Sequence, residues 1–386
     1  MTRREILRQS LLAGGLWLSG LDQSALCRSL TRRRADLGRE PSFLGVVPFS
    51  GESNPPMGEP LGTELDGRLF TDVSAITPHT PLTPTERFFV RTRASKLLDP
   101  TRWDIQIGGL VSKATTIPVE DLARKSRAMG VHLMECSGNP RAAHFGMISA
   151  AEWDGVPFEE ILGKANPQAS GTHVLVSGFD RYQEESMTSV PGASWIFRRD
   201  QLLSSQAFLA TGMNGQLLSP DHGAPVRLVV PGWYGCVCIK WVNQIDFVAA
   251  DAPATAQMRE YASRTLQKGV PSLACDYEPA TIGSAAIPIR LEKWRVDRRI
   301  LYHIAGIGWG PGSSGKWQIR FGPEEEFIPV DTVVAAVGDT WSFWSYRWLP
   351  KKTGEFTIRL RLPGEKHDTR KLSSGYYDRS VEIPEI

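Results

Sequence analysis

The chain has 386 residues, 44 of them Lys or Arg against 42 Asp or Glu, for a formal charge of +2. That length exceeds one ordinary core and predicts two domains able to enclose a large cofactor. The charge balance, with its basic residues spread along the chain, argues against a nucleic-acid partner. Five cysteines (Cys27, Cys136, Cys236, Cys238 and Cys275), odd in number and irregular in spacing, argue against a disulfide framework and leave at least one thiol free.

The N-terminus reads Thr2-Arg3-Arg4-Glu5-Ile6-Leu7, followed by the apolar run Leu11 to Leu18, a twin-arginine export pattern over a leader of residues 1–35. It predicts a periplasmic protein exported already folded, and the run is too short for a stable membrane span. An ordinary N-terminal helix with two solvated arginines is the alternative. Residues 36–85 are an extended lead-in, broken by Asn54-Pro55-Pro56 and Thr77-Pro78.

From residue 86 to 268, short apolar runs (Phe88 to Val90, Trp103 to Ile107, Val174 to Val176, Val226 to Val230) alternate with helical patterns at Pro118 to Leu122 and Pro157 to Leu162. The fold class is α+β. From 269 to 386 the texture is strands only: Ile287 to Leu291, Ile300 to Ile304, Trp317 to Phe321, Val330 to Val337 and Phe356 to Leu362. That spacing predicts an immunoglobulin-like β-sandwich. Gly306, Gly308, Gly310 and Gly312 open no helix, so they are read as turn residues and not as a nucleotide loop.

No Cys-x-x-Cys-His, paired Cys-x-x-Cys, Walker loop or Gly-x-Ser-x-Gly elbow is present. Cys236-Val237-Cys238 reads as two packed thiols on one face of a strand. In Glu135-Cys136-Ser137-Gly138-Asn139, Cys136 occupies a turn beside Arg141, where a thiolate serves as soft metal ligand or nucleophile and a packed strand-end cysteine is the bland reading. Polar residues then recur in glycine-punctuated strings: Ser177-Gly178-Phe179-Asp180, Met213-Asn214-Gly215, Asp221-His222-Gly223, Arg227, Pro231-Gly232-Trp233-Tyr234-Gly235 and Lys240-Trp241. Singly, each reads as a turn with a solvated polar residue.

In that order, with Phe88-Phe89-Val90-Arg91 and Cys136, these strings resemble the sulfite oxidase family of molybdenum enzymes from about Arg87 onward. The resemblance implies a mixed α/β molybdopterin-binding domain over 86–268, followed by a dimerisation-type sandwich and a possible homodimer. It implies Cys136 as the one protein ligand to molybdenum. Molybdopterin would be held by Phe89, Val90, Arg91, Thr92, Arg93, Asp180, His222, Arg227, Cys238, Ile239 and Lys240, in part through main-chain groups. Arg91 and Arg141 match substrate-pocket arginines, and Tyr261 falls where the family tyrosine lies. Three departures stand out. Arg93 replaces a histidine of animal and plant relatives, and Pro140 replaces an arginine. The arginine brought from near the C-terminus has no counterpart in Ser373-Ser374-Gly375-Tyr376, with Arg379 the nearest candidate.

The activity implied is oxygen-atom transfer, sulfite to sulfate. Electrons would pass to a separate c-type cytochrome, since the sequence provides for no haem, flavin or nicotinamide. A molybdoenzyme of the same fold that reduces a sulfoxide, or acts on another small sulfur or nitrogen oxo-species, is one rival. A hydrolase built on Cys136, His222 and Asp180 is another, but it leaves the arginines and Lys240-Trp241 without a role. A scaffold role suggested by the sandwich leaves the first domain unexplained.

Overall fold

The computed structural model describes residues 41–386 apart from 187–188, 314, 336–339 and 364–369. The twin-arginine pattern, the leader 1–35 and Cys27 lie outside the described residues, as does the end of the strand expected over Val330 to Val337.

The mixed α+β part is built on two five-stranded sheets. In one, Arg127–Glu135 pairs antiparallel with Ile148–Pro157, which pairs with Phe208–Met213; Gln216–Leu217 and Arg227–Val229 join the last of these. The other runs in the order Thr115–Pro118, Asp104–Gly109, Val242–Val248, His173–Gly178, Ser194–Arg198. Its pair Asp104–Gly109 and Val242–Val248 is parallel, and such a pair needs a long crossover. Here the crossover carries the whole of the first sheet. Short helices fill the edges. Val119–Lys125 and Phe158–Ala165 each follow a proline and carry acids in the first turn and a basic residue in the last, as the helix dipole favours. Trp153, Phe158, Trp195, Phe208 and Ile245 belong to the core the two sheets share.

The C-terminal strands form two more five-stranded sheets, antiparallel throughout. Leu291, Ile304 and Trp344 of one sheet meet Ile319, Ile358 and Val381 of the other in a common core. Several expectations change here. Within the lead-in, Ser42–Val46 and Phe49–Ser50 are strands, each added to the edge of a C-terminal sheet. Ser342–Trp348 is a further strand. The region is not strands only, since Arg370–Ser373 is helical. Gly306 and Gly308 lie inside the strand Arg299–Trp309, because indoles cross them: a Cβ would come within 2.0 Å of the Trp344 ring and 2.6 Å of the Trp317 ring. Only Gly310 and Gly312, with φ of +82° and +76°, are turn residues.

A third apolar cluster joins the two parts: Leu133, Phe145, Ile148 and Tyr234 pack with Ile287, Trp309, Trp341 and Tyr377. The turn carrying Cys136 lies beside this seam.

Candidate active site

The strand Arg127–Glu135 runs from exposed to fully buried, ends at Glu135 and hands the chain to Cys136. The Cys136 N–H donates to the Met147 carbonyl at 2.9 Å, and Asn139 N–H donates back to the Cys136 carbonyl at 3.0 Å. The Asn139 side chain closes the loop by accepting from Met147 N–H at 2.9 Å. The thiol is therefore fixed at a strand end, buried, and turned to a cleft with about 910 Å³ of space free of protein atoms, solvent included. Burial pushes the thiol above its ordinary range, against the Gly138 N–H and the charges of Arg91 and Arg264, which favour the thiolate.

Phe89, Val90, Arg91 and Thr92 line the same cleft, as do Asp180, His222, Arg227, Cys238, Ile239, Lys240 and Tyr261. Gly223, at φ +105°, makes the cation wall possible: a Cβ there would approach Arg227 Cβ to 2.9 Å and Lys240 Cγ to 3.1 Å. Arg227 is buried and donates to the carbonyls of His222 (3.1 Å) and Cys238 (3.0 Å), yet its Nε has no partner. Burial lowers its pKa to about 10, so it stays charged at neutral pH. The Lys240 ammonium donates to the Thr92 and Asp221 carbonyls and lies 4.3 Å from the Trp241 ring centroid; burial drives its pKa well below the usual lysine range. His222 donates Nε2–H to the Thr85 carbonyl at 2.8 Å and burial lowers its pKa to about 4. The ring is thus neutral with its lone pair on Nδ1, so toward a ligand it accepts. Asp180 is held by the Ala193 N–H at 2.9 Å, and burial raises its pKa.

Two expected residues are not on the cleft. The Arg93 guanidinium is taken by Asp221 at 2.9 Å. Arg141 begins a 3₁₀ turn after Pro140, and its side chain donates to the Gly375 carbonyl at 3.3 Å. Arg379 is no substitute, because it is buried in an ion pair with Glu52 and donates to the Pro288 carbonyl at 2.8 Å. Cys236 and Cys238 are not alternating strand residues; Gly235–Val237 is a 3₁₀ turn, and both cysteines face the cleft. All four described cysteines are free.

Other cations stand near Cys136 instead. Arg264 lies over the Tyr261 ring at 5.1 Å, three residues on from it, a helical spacing that the sequence offered as a clue. Lys371 is buried and donates to the Ser137 carbonyl at 2.7 Å. Arg68 comes from the lead-in, where no local signal marked it. Glu135 is fully buried and accepts from Trp309 Nε1 at 2.8 Å and Tyr377 OH at 2.9 Å, while Tyr376 OH donates to the Asn139 carbonyl at 2.6 Å. The C-terminal part therefore grips the cysteine loop.

Among the described residues no three His, Cys, Asp or Glu side chains gather as metal ligands, so a metal at Cys136 must draw most of its ligands from a bound cofactor. The donor set fits molybdopterin. Arg227, buried with its orphaned Nε, and the half-buried Lys240 are cations whose side-chain hydrogen bonds end on uncharged atoms. Such charges fit an anion such as the pterin phosphate, and Cys136 supplies a sulfur for the metal.

The family "Oxidoreductase molybdopterin binding domain" matches residues 92–256. Among curated relatives, a nitrate reductase [NADPH] of Beauveria bassiana is 27% identical over 52% of this chain and 22% of its own length. The protein-methionine-sulfoxide reductase catalytic subunit MsrP of Gluconobacter oxydans is 29% identical over 46% of this chain and 60% of its own. Human mitochondrial sulfite oxidase is 29% identical over 47% and 35%. The chain thus spans less than two thirds of each of these relatives. The sulfane dehydrogenase SoxCD of Paracoccus pantotrophus shares the fold, with a TM-score of 0.59 at 19% identity over 80% of this chain and 78% of that one.

Proposed function

Because this chain belongs to the sulfite oxidase family of molybdopterin oxidoreductases, we propose that it oxidises sulfite to sulfate and passes the two electrons to a separate c-type cytochrome. The observation that carries this reading is the convergence of Cys136, Arg91, Arg227, Lys240 and Tyr261 on one cleft. Molybdopterin-bound molybdenum supplies the two-electron oxygen-atom transfer when it is in place. Cys136 holds the metal through sulfur. Arg227 and Lys240 would bind the cofactor's anionic end, while the neutral His222 and Asp180 would accept from its ring N–H groups. Arg91 neutralises the substrate dianion, and Tyr261, at the end of the helix Ala256–Tyr261, donates its hydroxyl to a substrate oxygen. The Tyr261 hydroxyl is suited to donate, since burial raises its pKa and keeps it protonated.

Part of the same proposal are export of the folded protein to the periplasm, supported by the twin-arginine pattern, and an immunoglobulin-like C-terminal unit that takes in residues 41–50 and serves a homodimer. A second reading, reduction of a sulfoxide, is favoured by the absence of Arg141 from the cleft and by likeness to the methionine-sulfoxide reductase. Protein from a host that makes molybdopterin should hold about one molybdenum per chain, lost in Cys136→Ala. It should oxidise sulfite with cytochrome c or ferricyanide. Rapid methionine-sulfoxide reduction from a reduced viologen without sulfite turnover would replace the first reading by the second.

A further inference from the structure

We propose that Arg68 and Arg91, with the Ser189 hydroxyl between them, form an oxyanion seat that takes one oxygen of a small dianion such as sulfite or its product sulfate; this rests on the reading above of the Cys136 cleft. The two guanidiniums reach the same oxygen: Arg91 Nη2 donates to Ser189 Oγ at 3.1 Å and Arg68 Nη2 at 3.4 Å. Arg91 and Ser189 line the cleft that holds Cys136. Among the described residues the hydrogen bonds of Arg68 end on uncharged oxygens, although the Asp66 carboxylate also acts on its charge. Its Nη1 is anchored by the carbonyls of Leu65 (2.7 Å), Gly67 (2.8 Å) and Arg91 (2.6 Å), which fixes the guanidinium, and its Nη2 makes the long contact to Ser189.

Two like charges brought to one neutral hydroxyl repel each other, and a negative oxygen in the hydroxyl's place would relieve that repulsion. Burial, followed by the Arg91 charge, lowers the Arg68 pKa to about 10, while Asp66, Tyr261 and Cys136 act in the other direction. The seat is thus within electrostatic reach of both the metal-ligand thiol and the tyrosine. Arg68 reaches the cleft through Ser189, which lines it beside Arg91, whereas Arg141 donates to the Gly375 carbonyl.

The test uses the holoenzyme with inorganic sulfate as probe, read by calorimetry, beside steady-state sulfite oxidation with ferricyanide. Arg68→Met should weaken sulfate binding and raise the KM for sulfite by about 10-fold to 100-fold, with kcat and molybdenum content little changed, and Arg68→Lys should fall between. Because Arg68 also anchors three carbonyls, Ser189→Asp is the companion variant: its carboxylate should fill the seat and abolish sulfate binding in a folded protein. Sulfate affinity unchanged in both Arg68→Met and Ser189→Asp overturns the seat. Sulfate binding that both variants lose, in an enzyme that turns over no sulfite, sustains the seat and removes the proposed reaction instead.

Discussion

Acid should destabilise this protein through His222 in a way that one substitution removes. The ring is 5% exposed and its Nε2–H is committed to the Thr85 carbonyl, while the Lys240 and Arg227 charges oppose protonation. Its folded pKa of about 4 lies below the ordinary 6.5. Between those values the unfolded chain binds a proton that the folded chain refuses, so stability falls as pH drops from 6.5 toward 4. Linkage with these two pKa values gives a loss of about 2 kcal/mol between pH 7 and pH 5. His222→Gln keeps an amide N–H for Thr85 and has nothing to titrate. Urea denaturation of cofactor-free protein, followed by tryptophan fluorescence at both pH values, isolates the effect, because other titrations cancel between wild type and variant. The wild type should lose about 2 kcal/mol more than the variant. Equal losses would refute the burial argument.

Arg379→Met should cost about 3–5 kcal/mol in urea denaturation, because it strands the Glu52 carboxylate, whose side chain is 1% exposed; adding Glu52→Gln should recover much of the loss. Lys371→Met removes a charge-assisted hydrogen bond to Ser137 and the cation nearest Glu135, a loss of about 1.5–3 kcal/mol. It should also speed alkylation of Cys136 in cofactor-free protein, followed by mass spectrometry. An unchanged alkylation rate would show that Lys371 does not hold the loop.

The residues that local sequence made legible are those whose neighbours also dictate their conformation. Cys136, His222, Arg227 and Lys240 stand in runs of glycine, proline and asparagine that force turns, and the folded chain brings them to one cleft. The direction of the Arg141 side chain depends on the 3₁₀ turn after Pro140, which a motif does not encode. Arg68 and Lys371 were missed for another reason: their partners Ser189 and Ser137 lie 121 and 234 residues away, so only tertiary pairing reveals them. The strands at 42–50 were likewise hidden, since an edge strand with exposed Phe43, Leu44 and Val46 shows no buried alternation.

The grip on the cysteine loop bears on how the protein is made. The Ser137 and Asn139 carbonyls and the Glu135 carboxylate meet Lys371, Tyr376 and Tyr377, residues 234 to 242 positions later. A nascent chain that has emerged only through the mixed α+β part holds Cys136 in a loop without those donors, beside a carboxylate that lacks its partners. The ribosome therefore delivers Cys136 long before it delivers the groups that fix its loop. A chain truncated before Lys371 is expected to hold that loop without those donors.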